Sequence, residues 1–473
     1  MSVERAELAA CVDVLARLDA PDLDETVRAE LERAVVTAYR GVKKRAKARR
    51  SARTRESDRA LLAGATRFHT EIPATGPAPE SPPPASGPGA PDPEPARSGT
   101  DASEALGDAA PGGGSLIRAR YCYVCKTPYR DVDVDYHMMC PPCAEENRLR
   151  RSARCDLAGR TAVVTGGRVK IGFHTALKLL RDGADVIVTT RFPRDAARRY
   201  AAVPDFDDWA DRLYLHNLDL LDLPATLDFV GLVGRRFTGL DILVNNAAQT
   251  LYRPAAYHRD AREAEAAALV GPAARIAIGG GPTASAEPGL PGTLDAFFPP
   301  GQLDETGQQL DLREVNSWVL RDAEVSPHEW LQVHVVNAFA PFLLTSRLRP
   351  LLAASPHPRR YVVQVSAMEG SYSRAGKTVR HPHTNMAKAA LNMLVRTVAA
   401  DYAADGIHMN SVDTGWVTDE RPHPSKTQQR DLGFRPPLDV VDGAARVYDP
   451  IVRGERGEPM HGLFLKDYRS VPW

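Results

Sequence analysis

The sequence predicts an α/β protein built on a doubly wound parallel sheet, with a small metal-binding module and a helical region ahead of it. Three observations carry that expectation. From about residue 156 to 473, short apolar segments alternate with longer helical ones. A glycine-rich turn, "TGGRVKIG", joins the first strand-like segment to the first helix-like one. Upstream, two Cys-x-x-Cys pairs stand in a stretch too short to fold around an apolar core of its own.

In chain order, residues 1–71 read as helical, because Val14, Leu15, Leu18, Val27, Leu31, Val35 and Val36 recur at helical spacing. The basic run "KKRAKARRSARTR" at 43–55 reads either as a solvated helix face or as a surface for a protein or nucleic-acid partner. No aromatic residue interleaves with it, which argues against single-strand binding. Residues 72–115 are Pro, Gly, Ala and Ser with few apolar side chains, the composition of a disordered linker.

Residues 116–150 carry Cys122, Cys125, Cys140 and Cys143. Two such knuckles supply four thiolates to a structural zinc ion; four reduced thiols in a small apolar patch is the plainer alternative. His137 is a further donor the site does not need. Cys11 and Cys155 receive no role.

The strands and helices follow as "RTAVVTGG", "IGFHTALKLLRDG", "DVIVTTR", "LDILVNNAA", "LQVHVVNAFAPFLLTSRLRPLL" (one helix), "YVVQVSA", "NMAKAALNMLVRTVAADYAADG" and "IHMNSVDTG". Strands apolar throughout and interleaved with helices are covered on both faces, as parallel sheets are. Residues 250–330 interrupt the alternation and read as an insertion of mixed order beside the substrate.

The chain has 473 residues, enough for two or more domains. Lys+Arg and Asp+Glu both number 60, which excludes a globally basic nucleic-acid binder. The charged N-terminus lacks the apolar core of a signal peptide, and no apolar run is long enough to span a bilayer. A soluble, cytoplasmic protein is expected.

In the glycine-rich turn, missing side chains let the backbone approach a pyrophosphate at a helix N-terminus. With "VNNAA", "VVNAFAPF", Ser366, Lys388 and "NSVDTGWVTDE" following in order, the region 156–473 resembles the short-chain dehydrogenase/reductase family, whose fold is the Rossmann fold. Thr165, Gly166 and Gly172 match its TGxxxGxG motif. Asn245, Asn246, Ala247 and Ala248 match NNAG, and 410–418 match NxVxPGxVxT with Thr414 in place of proline. The resemblance implies a cofactor site made of Thr165, Gly166, Gly167, Arg168, Lys170, Ile171, Gly172, Arg191, Asp219, Leu220, Asn246, Ala247, Ala248, Lys388, Gly415, Val417 and Thr418. It also implies dimers or tetramers through the helices that carry Asn337 and Lys388. Lys170 replaces the motif's middle glycine. "TTR" ends the second strand with no acid, and Arg191 there suits the 2′-phosphate of NADP better than the bare ribose of NAD.

The same resemblance implies Ser366, Lys388 and Asn337 as catalytic residues, acting on a small carbonyl, alcohol, C=N or C=C substrate. Thr384 stands where the family has its proton-donating tyrosine. A phenol titrates near ~10, whereas an aliphatic hydroxyl is far less acidic, so Thr384 cannot take the role. Tyr372, His381 or His383 could supply the proton; so could water or the substrate. The remaining alternative is a non-catalytic NADP-binding sensor or scaffold that engages a partner through the zinc module and the basic helix. Thr418 reads as a neighbour of the nicotinamide amide or as a helix cap. Asp413, Asp419 and Glu420 read as loop charges, with Asp413 in reach of substrate, and Trp416 and Phe464 as packing residues.

Overall fold

The computed structural model describes residues 4–65, 114–281, 296–304, 306–374 and 376–473. The expected linker lies outside the described residues as far as 113, as does 282–295 of the expected insertion. Two helices open the chain, α1 (Arg5–Ala16) and α2 (Glu25–Gly64), the latter capped by Asp24, whose carboxylate accepts from the Thr26 and Val27 amides. Neither buries a residue. The cysteine module is an antiparallel hairpin, β1 (Ser115–Tyr121) and β2 (Pro128–Asp131), followed by α3 (Pro141–Arg151).

The sheet follows as β3 (Thr161–Thr165), α4 (Lys170–Arg181), β4 (Asp185–Thr190), α5 (Pro193–Ala201), β5 (Leu213–Asn217), α6 (Leu223–Arg236) and β6 (Ile242–Asn245). The insertion holds α7 (Arg259–Ala266) and β7 (Ala277–Gly279), and then come α8 (Pro327–His334) and α9 (Ala340–Ala354). The chain closes with β8 (Arg360–Ser366), α10 (Pro382–Ala404), β9 (Ile407–Asp413), α11 (His423–Asp431), α12 (Val440–Glu455), β10 (Phe464–Lys466) and β11 (Arg469–Val471).

The strand order is β11-β10-β9-β8-β6-β3-β4-β5-β7, parallel except for the β10–β11 hairpin. This is the doubly wound sheet the sequence predicts. The order reverses between β3 and β6, and a ligand crevice opens at the carboxyl ends of strands there. One core lies under α4, α5 and α12 around Phe173, Tyr200, Trp209, Tyr448 and Ile451. The other lies under α6, α9 and α10 around Phe229, Leu344, Leu348 and Val395. The insertion is partly structural, since β7 pairs with β5 and lengthens the sheet.

The segment 331–352, expected as one helix, is helical throughout, and a π turn, Val335–Phe339, lies inside it between α8 and α9 and buries Asn337 completely. Such a turn adds a residue that hydrophobic periodicity does not register.

The cysteine module is joined to the sheet domain. Leu116, Tyr129, Tyr136 and Met139 form a cluster with Leu438 from the sheet domain and Ala65 from the end of α2. The Asp58 carboxylate accepts from the Ile117 and Arg118 amides at 2.8 and 3.3 Å, which covers the open edge of β1. On the other side Asp442, in the first turn of α12, accepts from the Tyr136 hydroxyl and the Asn147 amide, each at 2.9 Å. Arg151 stands 3.0 Å from the same oxygen. Among the described residues no helix is long and apolar enough to cross a membrane.

Asp442 is 1 % exposed, so its loss removes a buried acceptor from the Tyr136 hydroxyl and the Asn147 amide, while Arg151 keeps Asp439 at 2.6 Å. Asp442→Ala is expected to cost about 3–5 kcal/mol in denaturant unfolding, with Asp442→Asn costing clearly less.

Candidate functional site

The motif residues meet at the switch point. The Thr165 hydroxyl oxygen accepts from the Asn246 and Ala247 amides, both at 3.0 Å, and so ties the end of β3 to that of β6. In return Asn246 Nδ2 donates to the carbonyls of Thr165 (3.0 Å) and Gly166 (3.1 Å). Gly166 has φ +69, and a Cβ on Gly172 would lie 2.4 Å from both Asn246 Nδ2 and the Gly166 oxygen. Only glycine fits there. Lys170, the first residue of α4, adopts φ 55 at the position where the motif has glycine. Its ammonium stands 3.7 Å from Glu420 across the cleft. Burial alone would raise the Glu420 pKa, but Lys170 and a 2.7 Å hydrogen bond from the Thr418 hydroxyl pull it down to about 2.

This turn opens on a cavity of ≈ 1370 Å³. Gly166, Arg168, Lys170, Ile171 and Gly172 line it from one side, Arg191, Asp219 and Leu220 from another, and Asn246, Ala247 and Ala248 from its base. Arg168 and Arg191 flank the Phe192 ring, their guanidinium carbons 5.4 and 5.7 Å from its centroid. Arg168 also pairs with Asp195 at 2.6 Å. Burial works to raise Asp195, yet Arg168 and Arg199 hold it below the usual carboxylate range. Thr165 and Gly167 sit behind the wall, Gly167 with its carbonyl bonded by the Tyr200 hydroxyl at 2.7 Å.

Ser366, Thr384, Lys388, Thr414, Gly415, Val417 and Thr418 line the same cavity. Lys388 is buried and donates to the Val365 carbonyl at 2.7 Å, and burial lowers its pKa to about 8. The Ser366 hydroxyl donates to Asn392 at 2.6 Å. The Thr384 hydroxyl is buried and has no hydrogen-bond partner among the described residues. Asn337 stands behind the wall and clamps Gln249, accepting from its amide at 2.6 Å and donating to its carbonyl at 2.9 Å.

Several expectations change here. Tyr372 is 76 % exposed and does not line the cavity, because its loop turns outward, and His383 is buried 3.2 Å from Glu329, away from it. His381 does line it, stacked on Trp318 at 4.2 Å, with burial lowering its pKa. Asp413, at the end of β9, and Glu420, in the loop, both line the cavity and are paired there. Trp416 faces the cavity as well as packing on Phe434, whereas Phe464 is core, stacked on Trp473.

The model of the family described as short chain dehydrogenase matches residues 160–268, and that described as enoyl-(acyl carrier protein) reductase matches 318–431. The chain belongs to the short-chain dehydrogenase/reductase family. A protein of Acanthamoeba polyphaga mimivirus is 33% identical over 349 residues, 70% of this chain and 71% of that protein. The NADPH carbonyl reductase 1 of Sus scrofa is 39% identical over 90 residues, 19% of this chain and 30% of its own length. The named enzyme is thus matched over under a third of its length. A crystal structure of NADPH-bound carbonyl reductase from chicken fatty liver aligns with 67% of this chain and 100% of its own at 18% identity, TM-score 0.42.

Sequence reading passed over two groups of cavity residues. His258 and Arg262, from the insertion, line it beside Arg191, with His258 Nε2 3.2 Å from the Arg191 guanidinium. Tyr123 and Lys126, from the cysteine module, line its opposite side. No local motif marks either group; their sole signal was the proximity of Tyr123 to a metal-ligand pattern.

The four cysteine sulfurs lie within 4.8 Å of one another, with Cys125 and Cys140 3.6 Å apart. Thiolates ~2.3 Å from a tetrahedral zinc stand roughly 3.8 Å from each other, so Cys122, Cys125, Cys140 and Cys143 fit that ion. The amides of Val124 and Cys140 both donate to Cys122 sulfur at 3.4 Å, which suits a thiolate. His137 is outside the group.

Gly172→Ala is expected to force the Asn246 clasp open. Titration should show at least a tenfold weaker dinucleotide affinity, a loss of about 1.4 kcal/mol, while circular dichroism stays unchanged.

Proposed function

We propose that this chain is an NADP(H)-dependent oxidoreductase that reduces a small carbonyl, C=N or C=C substrate or oxidises the matching alcohol, without a tyrosine proton donor. One observation carries this reading: the dinucleotide-type turn and the Ser366–Thr384–Lys388 group line one cavity. When bound, the cofactor supplies hydride. Gly166 to Gly172 present backbone amides to its pyrophosphate, and Arg168 and Arg191 hold its 2′-phosphate. NADP is favoured over NAD because no carboxylate ends β4.

Ser366 turns its hydroxyl from Asn392 to the substrate oxygen. Lys388, one helical turn beyond Thr384, holds the proton that the oxygen receives, and the amine then recovers a proton from solvent. Its pKa near 8 leaves the ammonium populated at neutral pH and readily deprotonated. Cys122, Cys125, Cys140 and Cys143 hold a structural zinc. Exposed Phe339, Phe342, Met386 and Met393, on the π turn, α9 and α10, support a homodimer or homotetramer through these helices.

The partnerless Thr384 hydroxyl favours a second reading, a non-catalytic NADP sensor or scaffold. The zinc module and residues 43–55 of α2 would then meet a protein or nucleic-acid partner.

Fluorescence titration should give tighter binding of NADPH than of NADH, and a carbonyl and imine panel should show turnover. The rate of reduction should fall as pH rises through about 8, where Lys388 loses its proton, and Lys388→Met should abolish it. Tight NADPH binding with no turnover across the panel favours the sensor reading.

A further inference from the structure

The first cysteine knuckle is also a wall of the catalytic cavity. Tyr123 lies between Cys122 and Cys125 in sequence, and it faces the cavity that holds Ser366 and Lys388. Its hydroxyl oxygen accepts from the Trp416 backbone N–H at 3.0 Å. A Cβ on Gly415 would come within 3.3 Å of that oxygen, and Gly415 itself holds φ +79. Val417 packs partly buried against the module's own apolar cluster. The loop 414–418 therefore rests on the knuckle at successive residues.

The loop's other supports run through Asp413, which accepts from the Gly415 amide at 2.8 Å, the Met368 amide at 2.6 Å and the Lys466 ammonium at 3.1 Å. Lys466 Nζ stands 5.7 Å from the centroid of the Tyr123 ring. The segment after Ser366, the late loop and the knuckle thus converge at one corner of the cavity. The Tyr123 oxygen does more than pack, because it is the acceptor for a backbone amide of the loop that carries Val417 and Thr418.

We infer that Tyr123 is a positioning residue, and that the metal-held first knuckle fixes the 414–418 loop against the cofactor, so that metal occupancy sets cofactor affinity. The part concerning affinity rests on the NADP reading above; the part concerning the loop does not. A module this small needs its metal to fold. Without the ion the ties of the knuckle at Cys122 and Cys125 are lost, Tyr123 has no fixed place, and the Trp416 amide loses its acceptor.

Hydrogen exchange on the full zinc-loaded chain separates the two parts. Tyr123→Phe keeps the ring and removes the acceptor. The Trp416 amide should then exchange at least fivefold faster, while zinc content stays at one ion per chain and the β8 amides keep their protection. NADPH should bind threefold to tenfold more weakly, whereas Tyr121→Ser, an exposed change in the same module, should leave both readings unmoved. Chelating the metal should deprotect 414–418 while β8 stays protected; if the chain unfolds altogether, the Tyr123→Phe result alone decides. Unchanged Trp416 exchange in Tyr123→Phe overturns the inference. Faster exchange with unchanged NADPH affinity overturns the link to cofactor affinity, and no NADPH binding by the wild-type chain overturns the NADP reading but leaves the loop support standing.

Discussion

The clasp between Thr165 and Asn246 is the constraint on which the rest depends. It joins the ends of the two strands at which the sheet reverses its winding, and it needs glycine at 166 and 172 to close. With it closed, the N-terminus of α4 faces the crevice, and everything later in the chain is aimed at that crevice. β8 delivers Ser366, α10 delivers Lys388 and β9 delivers the late loop. The Lys170–Glu420 pair spans the cleft and ties the first motif to the last. A left-handed lysine costs roughly 1–2 kcal/mol relative to glycine, and the ammonium it places at the cleft is the compensating feature.

The cysteine module extends this construction. Asp442 binds its second half to α12, and Tyr123 binds its first half to the late loop. Two separate polar ties, each with apolar packing beside it, make the module part of the cavity wall and not a pendant. The end of α2 packs on the far side of the module and shields a strand edge through Asp58.

The fold class was legible because each strand is a short apolar run and each helix a periodic one, and because both signals are local. The glycine turn, "VNNAA" and the late loop are local too, and most of the residues they single out line one cavity, with Thr165, Gly167 and Asn245 behind its wall. What sequence could not give was long-range. Tyr123 and Trp416 are 293 positions apart, and nothing in either segment announces the other. The enclosure of Glu420 depends on Lys170 arriving from a different element. The π turn at Asn337 hid inside a helical pattern that it does not disturb. Tyr372 and His383 looked suitable by their chemistry and their nearness to Thr384, but backbone direction, which periodicity does not specify, sends one to the surface and the other to Glu329.

The central claim is that hydride transfer proceeds here without a phenol at position 384. The direct measurement is transfer of deuterium from NADPH labelled at the nicotinamide C4 to a carbonyl substrate, followed by mass spectrometry in the wild-type chain and in Thr384→Tyr. The account predicts label in the product with the wild-type chain. Label appearing only with Thr384→Tyr, while the wild type binds NADPH and transfers none, would contradict it.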